Sequence, residues 1–318
     1  DDVRDIAAEL LARPFVKTPK VPQLLGTEHA AGLAALLARS GALACLDVEL
    51  RGMGDAAAAQ LAHALRPSTK LRTLMIRNAP VGDAGVAQLA AGLSKQEAVG
   101  TFLLTGARVG RAGSDALSGW VHASRQLESL TLSSSRLSDE GAKTLGHAIE
   151  ACKAPLTALE LQYNGIRDAG AAALARALTA GGDHIETLTL EGNAIGPGGA
   201  RALAEALATR STAVRSLTLS HNRIGDVGAE WLAWALDSGV PTLTSLGLWG
   251  HENAIGDNGA VALATALGHR ATALAVLDLD GNPITRTGVS ALQRMTAANT
   301  SVEEIVVRGV NVVASRGW

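Results

Sequence analysis

Leu156–Leu178 reads LTALELQYNGIRDAGAAALARAL and holds two periodicities within 23 residues. Leu159 and Leu161 alternate with Glu160 and Gln162, the period-two pattern of a strand with one buried face. After Tyr163, Asn164 and Gly165 the pattern changes. Leu174 and Leu178 stand four apart in an alanine-rich run, which places them on one helical face. A lone strand-plus-helix unit of this size cannot bury both apolar faces, so the fold depends on whether the chain supplies copies.

It does. Central strand residues recur at Leu46, Leu74, Phe102, Leu130, Leu159, Leu188, Leu217, Leu246, Leu277 and Ile305, with steps of 28, 28, 28, 29, 29, 29, 29, 31 and 28. A turn register from Leu25 and Met53 through Ile166, Ile195 and Ile224 to Val312 keeps the same period. The 31-residue step carries two extra residues in LWGHENAIG, between Leu248 and Asn253. The tile is L-x-x-L-x-L-x-x-N-x-I-G-D-x-G-A-x-x-L-A-x-A-L.

This motif resembles the leucine-rich repeat, specifically its long ribonuclease-inhibitor-like class, over roughly residues 43 to 312. The resemblance implies an α/β fold: a curved solenoid, or horseshoe, of about ten repeats. A parallel β-sheet would line the concave face and helices the convex one, since strands pair at about 4.8 Å and helices pack at about 8–10 Å. It also implies that Asn164, Asn193, Asn222, Asn253 and Asn282 form a structural ladder to the backbone of adjacent turns. Arg51, Ala79, Ala107 and Ser135 stand there in earlier repeats, and Val310 in the last. The N-terminal half is therefore expected to be less stable. Residues 1–42 read as a helical cap with a partial repeat, 43–301 as the array, and 302–318 as a capping strand and tail. Gly170 is read as freeing the backbone before the helix, and Asp83, Asp168, Asp226 and Asp257 as helix-start residues with a capping or dipole role.

Composition narrows the function. A net charge of −2 argues against nucleic-acid or anionic-membrane binding. Aromatic residues are 3% of the chain, so the core must be aliphatic. No apolar run is long enough for a membrane span. Cys45 and Cys152 have no metal or redox spacing, which favours a reducing, cytoplasmic compartment. The chain begins with Asp1, so its start is silent on targeting. No HExxH, GxSxG or phosphate-binding loop occurs. The glycines of GARVGRAG, at 106, 110 and 113, fall on repeat turn positions. No catalytic residue, metal or cofactor is expected.

The strand face is the natural binding surface of such an array. Its exposed columns place Glu160, Gln162, Tyr163, Glu191, His221, Trp249, Asp278 and Asp280 near one another, with His251 in the inserted loop. Large aromatics on an otherwise small-residue face suit protein hot spots, and the carboxylates suit a basic or mixed partner. Asp47 and Glu49 add acidity at the far end. Trp231 and Trp234 of GAEWLAWAL form a second, convex candidate. Trp120 is read as filling a packing gap. The expected function is a non-enzymatic interaction scaffold, a subunit or regulator of a multi-subunit assembly with a protein partner. The resemblance offers two alternatives: a small-GTPase activator like the Ran GTPase activators, or an enzyme inhibitor like ribonuclease inhibitor. Against these stand the lack of a long acidic tail and the small net charge. A sensor like that of NOD-like receptors would need a nucleotide-binding domain, which these residues do not contain.

Overall fold

Each tile contributes one short strand and one helix, in the order its two periodicities require. The protein was studied as a computed structural model, which describes residues 44–49, 54–65, 70–209, 211–269, 272–299, 301–307 and 310–311. The proposed cap at 1–42 lies outside them. The chain divides into two units, Asp1–Leu159 and Glu160–Trp318.

The first unit contains β1 (Cys45–Glu49), α1 (Asp55–Ala64), β2 (Thr73–Arg77), α2 (Asp83–Leu93), β3 (Thr101–Leu104), α3 (Arg111–Ala123), β4 (Ser129–Thr131) and α4 (Ser138–Glu150). Its strands pair parallel in chain order, with Leu46 opposite Leu74, Leu74 opposite Phe102, and Phe102 opposite Leu130. The division falls within β5 (Ala158–Glu160). The second unit contains α5 (Asp168–Ala180), β6 (Thr187–Thr189), α6 (Pro197–Ala208), β7 (Ser216–Thr218), α7 (Gly225–Asp237), β8 (Ser245–Gly247), α8 (Asp257–His269), β9 (Val276–Asp278), α9 (Arg286–Ala298), β10 (Glu304–Val307) and β11 (Val310–Asn311). Leu188, Leu217, Leu246, Leu277 and Ile305 lie side by side on parallel strands. β11 turns back antiparallel on β10, so the last parallel strand does not end in an open edge.

The repeat leucines form the core, and Leu188 is 1% exposed. Trp120 does fill a gap: it is buried and meets Phe102 edge-on at 5.2 Å. Gly170 is corrected. It lies inside α5, where the backbone needs no left-handed freedom. The equivalent helical glycines show the reason for the residue. A Cβ at Gly199, Gly228, Gly259 or Gly288 would stand 2.6–2.7 Å from Cγ2 of Ile195, Ile224, Ile255 or Ile284. The turn isoleucine occupies that space.

Neighbouring tiles are joined by two sets of polar side chains. The Asn193 amide donates to the carbonyls of Leu161 and Leu190, both at 2.9 Å, and its oxygen accepts from Asn164 and Ile166 N–H at 3.0 Å. Asn222, Asn253 and Asn282 repeat the pattern and are all buried. The amide matters because turn backbone groups left unpaired away from water cost about 1–3 kcal/mol each. The aspartates form the second set: each of Asp83, Asp168, Asp226 and Asp257 lies in the first turn of its own helix, as the dipole reading expects, but the capping half of that reading is corrected. Asp226 does not cap its own helix. Its Oδ1 accepts from Gly256 N–H at 2.6 Å and Gly259 N–H at 3.0 Å, capping α8 of the next tile. Asp55, Asp83, Asp168 and Asp257 likewise bond Gly82, Gly110, Gly196 and Thr285 of the following tile. A carboxylate at a helix N-terminus also meets the positive end of its dipole.

The first unit is poorer in such links. Ala79 and Ala107 are buried without a side-chain amide, and Ser135 reaches the Leu104 carbonyl at 3.3 Å. Amide hydrogen exchange should therefore be faster in the turns at 78–82 and 106–110 than at 193–196 and 222–225; uniform protection would contradict this reading. Leu188→Ala should lower stability by about 2–5 kcal/mol in chemical denaturation, as a core cavity does.

Candidate functional site

All nine strand-face candidates lie in the second unit. Glu160 and Gln162 are half-buried beside the end of β5. Tyr163 follows at the turn, where the backbone is left-handed, with φ 56°. The same turn column runs Gly192 (φ 66°), His221 (φ 52°), Gly250 (φ 111°) and Gly281 (φ 71°). This corrects the reading of that column as ordinary strand surface. It is a position of positive φ, which glycine occupies without a Cβ clash and larger residues only with strain. Asn78, Gly106 and Ser134 take it in the first unit.

The two large residues lie across the glycine that follows each. A Cβ at Gly192 would fall within the Tyr163 ring, and one at Gly250 would stand 2.8 Å from His221 Nδ1. Tyr163, 51% exposed, donates its hydroxyl to Glu191 Oε1 at 2.7 Å. That bond to a carboxylate holds the phenol above its ordinary pKa, with some help from burial. His221 packs edge-on against Trp249, the ring centres 3.9 Å apart. Its Nδ1 lies 2.7 Å from Glu252 Oε2, which keeps the Glu252 carboxyl below its usual range.

The two inserted residues are accommodated in a short 3₁₀ turn, His251–Asn253. It displaces His251 outward, where its side chain is 82% exposed, while Asn253 stays in the ladder. Sequence reading missed Glu252, the residue that ties the insertion to His221. The signal was available in its position beside an inserted histidine. On β9, Asp278 is half-buried, and its Oδ1 accepts from Asp280 N–H at 3.0 Å. Burial first, then the nearby charges of Asp280 and Glu304, push its carboxyl above the ordinary value. Ser220 stands between Glu191 and Trp249 in the same column by sequence, yet it is fully buried. At the far end, Asp47 pairs with Arg77 at 2.9 Å, and Asn78 donates to Glu49 at 2.6 Å, so that acidity is largely met within the chain.

On the helix side, Trp234 is 46% exposed and meets Trp231 edge-on at 5.8 Å. Trp231 is half-buried under the Arg201 guanidinium, 4.6 Å from its ring centre, while Arg201 also pairs with Glu205. Val227 on α7 and Val261 on α8 are also exposed. Among the described residues, no three His, Cys, Asp or Glu side chains converge as metal ligands.

One family model matches part of the chain. Residues 123–146, 153–175, 184–204, 210–233 and 272–292 match the family model described as Leucine Rich repeat. These stretches are leucine-rich repeats. No curated protein matches the chain. Among solved structures, the chain is similar to an internalin from Listeria monocytogenes: 15% identity, a TM-score of 0.44, and coverage of 95% of this chain and 93% of that one.

Two measurements check the site's physics. In a double-mutant cycle, Gly192→Ala should cost less stability in a Tyr163→Gly background than in wild type, because the ring that meets the new Cβ is gone. Equal costs in both backgrounds would show that the ring does not lie on Gly192. Asp278→Asn should raise the melting temperature at pH 7. A carboxyl whose pKa is raised by folding favours the folded state only below its unfolded pKa, and loses that advantage as pH rises through the folded value. The gain should vanish near pH 3, where both forms are neutral.

Proposed function

We propose that this chain is a non-enzymatic protein-binding scaffold, a subunit or regulator of a larger complex, and that it takes its protein partner on the sheet face of the second unit. The carrying observation is that Tyr163 and His221 occupy left-handed turn positions that glycine fills in the tile after each, at Gly192 and Gly250. A non-glycine residue there costs of order 1–3 kcal/mol. Neither side chain recovers that cost by burial in the core. Tyr163 instead lies half exposed beside Glu191, and His221 supports Trp249, which is 38% exposed. Rigid aromatics ringed by carboxylates and small residues are what a protein hot spot requires.

Helices of 10–13 residues in each tile support the long, ribonuclease-inhibitor-like class of repeat. In this reading residues 43–301 form the array, and β11 folds back on β10 beyond it. Among the described residues, no helix is long and apolar enough to cross a membrane.

A second reading has its own observation. Val227, Trp231 and Trp234 stand at i, i+4 and i+7 on α7, with Val261 beside them, and three of these four are exposed. The two preceding tiles carry Ala173 and Arg176, or Ala202 and Glu205, where α7 has the two tryptophans. One experiment separates the two. Capture from the native source should yield a stoichiometric protein that Tyr163→Ala/Trp249→Ala loses, with the melting temperature nearly unchanged. Capture that survives this variant and fails with Trp231→Ala/Trp234→Ala would place the partner on the helices.

A further inference from the structure

The first unit holds a cavity of about 360 Å³ where two consecutive helices, α2 and α3, come to an end. That volume lies in the range of small-ligand pockets. The link from α3 to β4, residues 124–128, is two residues shorter than the links on either side, 94–100 and 151–157; the cavity opens beside it. Its apolar wall is Leu93, Trp120 and Ala123. Trp120 stands where the adjacent tiles carry Gly92 and Ala148. It is 3% exposed and set edge-on against Phe102, so this wall is fixed before any ligand arrives. The helix ends are closed as well. Ser94 N–H and hydroxyl both bond the Ala90 carbonyl, Gln96 N–H bonds the Leu93 carbonyl at 2.8 Å, and Ser124 N–H the Trp120 carbonyl at 2.9 Å. Two opposite charges line the same cavity: Glu97 from the turn after α2 and Arg125 from the turn after α3. Both are exposed. Among the described residues neither has an ion-pair or hydrogen-bond partner, and they do not pair with each other.

We propose that this cavity binds a small zwitterion, an α-amino acid with an apolar side chain. Its ammonium meets Glu97, its carboxylate meets Arg125, and its side chain lies against Leu93 and Trp120. This site is separate from the protein-binding reading and does not depend on it. Two charges of opposite sign in one cavity suit a ligand that carries both. A simple anion would meet the Glu97 carboxylate, and a simple cation the Arg125 guanidinium. Because the two side chains are unpaired in the free protein, the ligand has no existing ion pair to break. The α2 end adds to the preference for an ammonium on the Glu97 side. A helix C-terminus carries the negative end of its dipole, and α2 has no basic residue in its last turn to offset it. Arginine in turn holds a carboxylate through two parallel N–H bonds. Leu93 and the Trp120 indole then leave apolar surface for the remainder of the ligand.

The probe is L-phenylalanine, titrated into the full chain with its tryptophans ¹⁵N-labelled; Trp120→Phe assigns the indole signal. A saturable shift of the Trp120 indole is expected. Phenethylamine lacks the carboxylate and 3-phenylpropionate lacks the ammonium, and each should bind about tenfold more weakly, as loss of one charge-assisted pair does. Arg125→Gln should remove the preference for phenylalanine over phenethylamine. Glu97→Gln should remove the preference over 3-phenylpropionate. Both side chains are exposed, so neither variant should move the melting temperature. Ala123→Phe, at the exposed end of α3, should fill the cavity and abolish binding. A Trp120 signal that stays silent up to the solubility limit of phenylalanine would overturn the assignment. So would an analogue that binds as well as phenylalanine, or a shift that survives Glu97→Gln/Arg125→Gln unchanged, since either would reduce the site to apolar adhesion on Trp120.

Discussion

A repeated turn that is packed against its neighbours must satisfy its backbone polar groups without water. In this chain that constraint is met from outside each tile. The Asn193 oxygen serves the N–H groups of Asn164 and Ile166, in the preceding turn. The Asp226 carboxylate serves the start of the following helix. One set of links runs backward along the chain and the other forward, so a tile is complete only between two others. The repeat length follows from this. An asparagine out of register by one residue would leave two amides and two carbonyls unmet. The tile with two extra residues shows how firmly the register is held. His251 and Glu252 are pushed outward in a 3₁₀ turn, and Asn253 still bonds Leu219 and Leu248.

The same turn dictates where function can be written. One residue beside the ladder must be left-handed, and glycine is the default. Where Tyr163 and His221 replace it, each ring needs somewhere to lie. Each finds it over the glycine of the next tile. Each large residue of this column is therefore followed by a glycine, and a change at one position constrains the next. The carboxylates of Glu191 and Glu252 then fix the polar ends of the two rings. Aromatic surface is displayed in a fixed orientation, which reduces the entropy lost when a partner docks.

The period and the alternation of Leu159 and Leu161 made the fold legible from residues alone, as did the expectation that Asn164 to Asn282 act together. The candidate site was legible as a region. Tyr163, His221 and Trp249 stand out by size in columns of small residues. What the columns could not show was conformation or contact across tiles. A residue's exposure in a strand column was taken from alternation, yet Ser220 is buried. Gly170 was read as a conformational residue, whereas its equivalents make room for an isoleucine side chain. The aspartates were assigned to their own helices, because sequence reading pairs a capping residue with the nearest helix start. The actual partners lie 27 to 33 residues away. Such pairings depend on how tiles stack, which no local pattern encodes.

The central claim is that the partner meets the sheet face of the second unit and not its helices. Site-directed photo-cross-linking tests it most directly, with benzoylphenylalanine placed at position 249 in one protein and at 234 in another. The account predicts a covalent partner adduct from position 249 and none from 234. An adduct from 234 alone would contradict it and assign binding to the tryptophan stripe of α7.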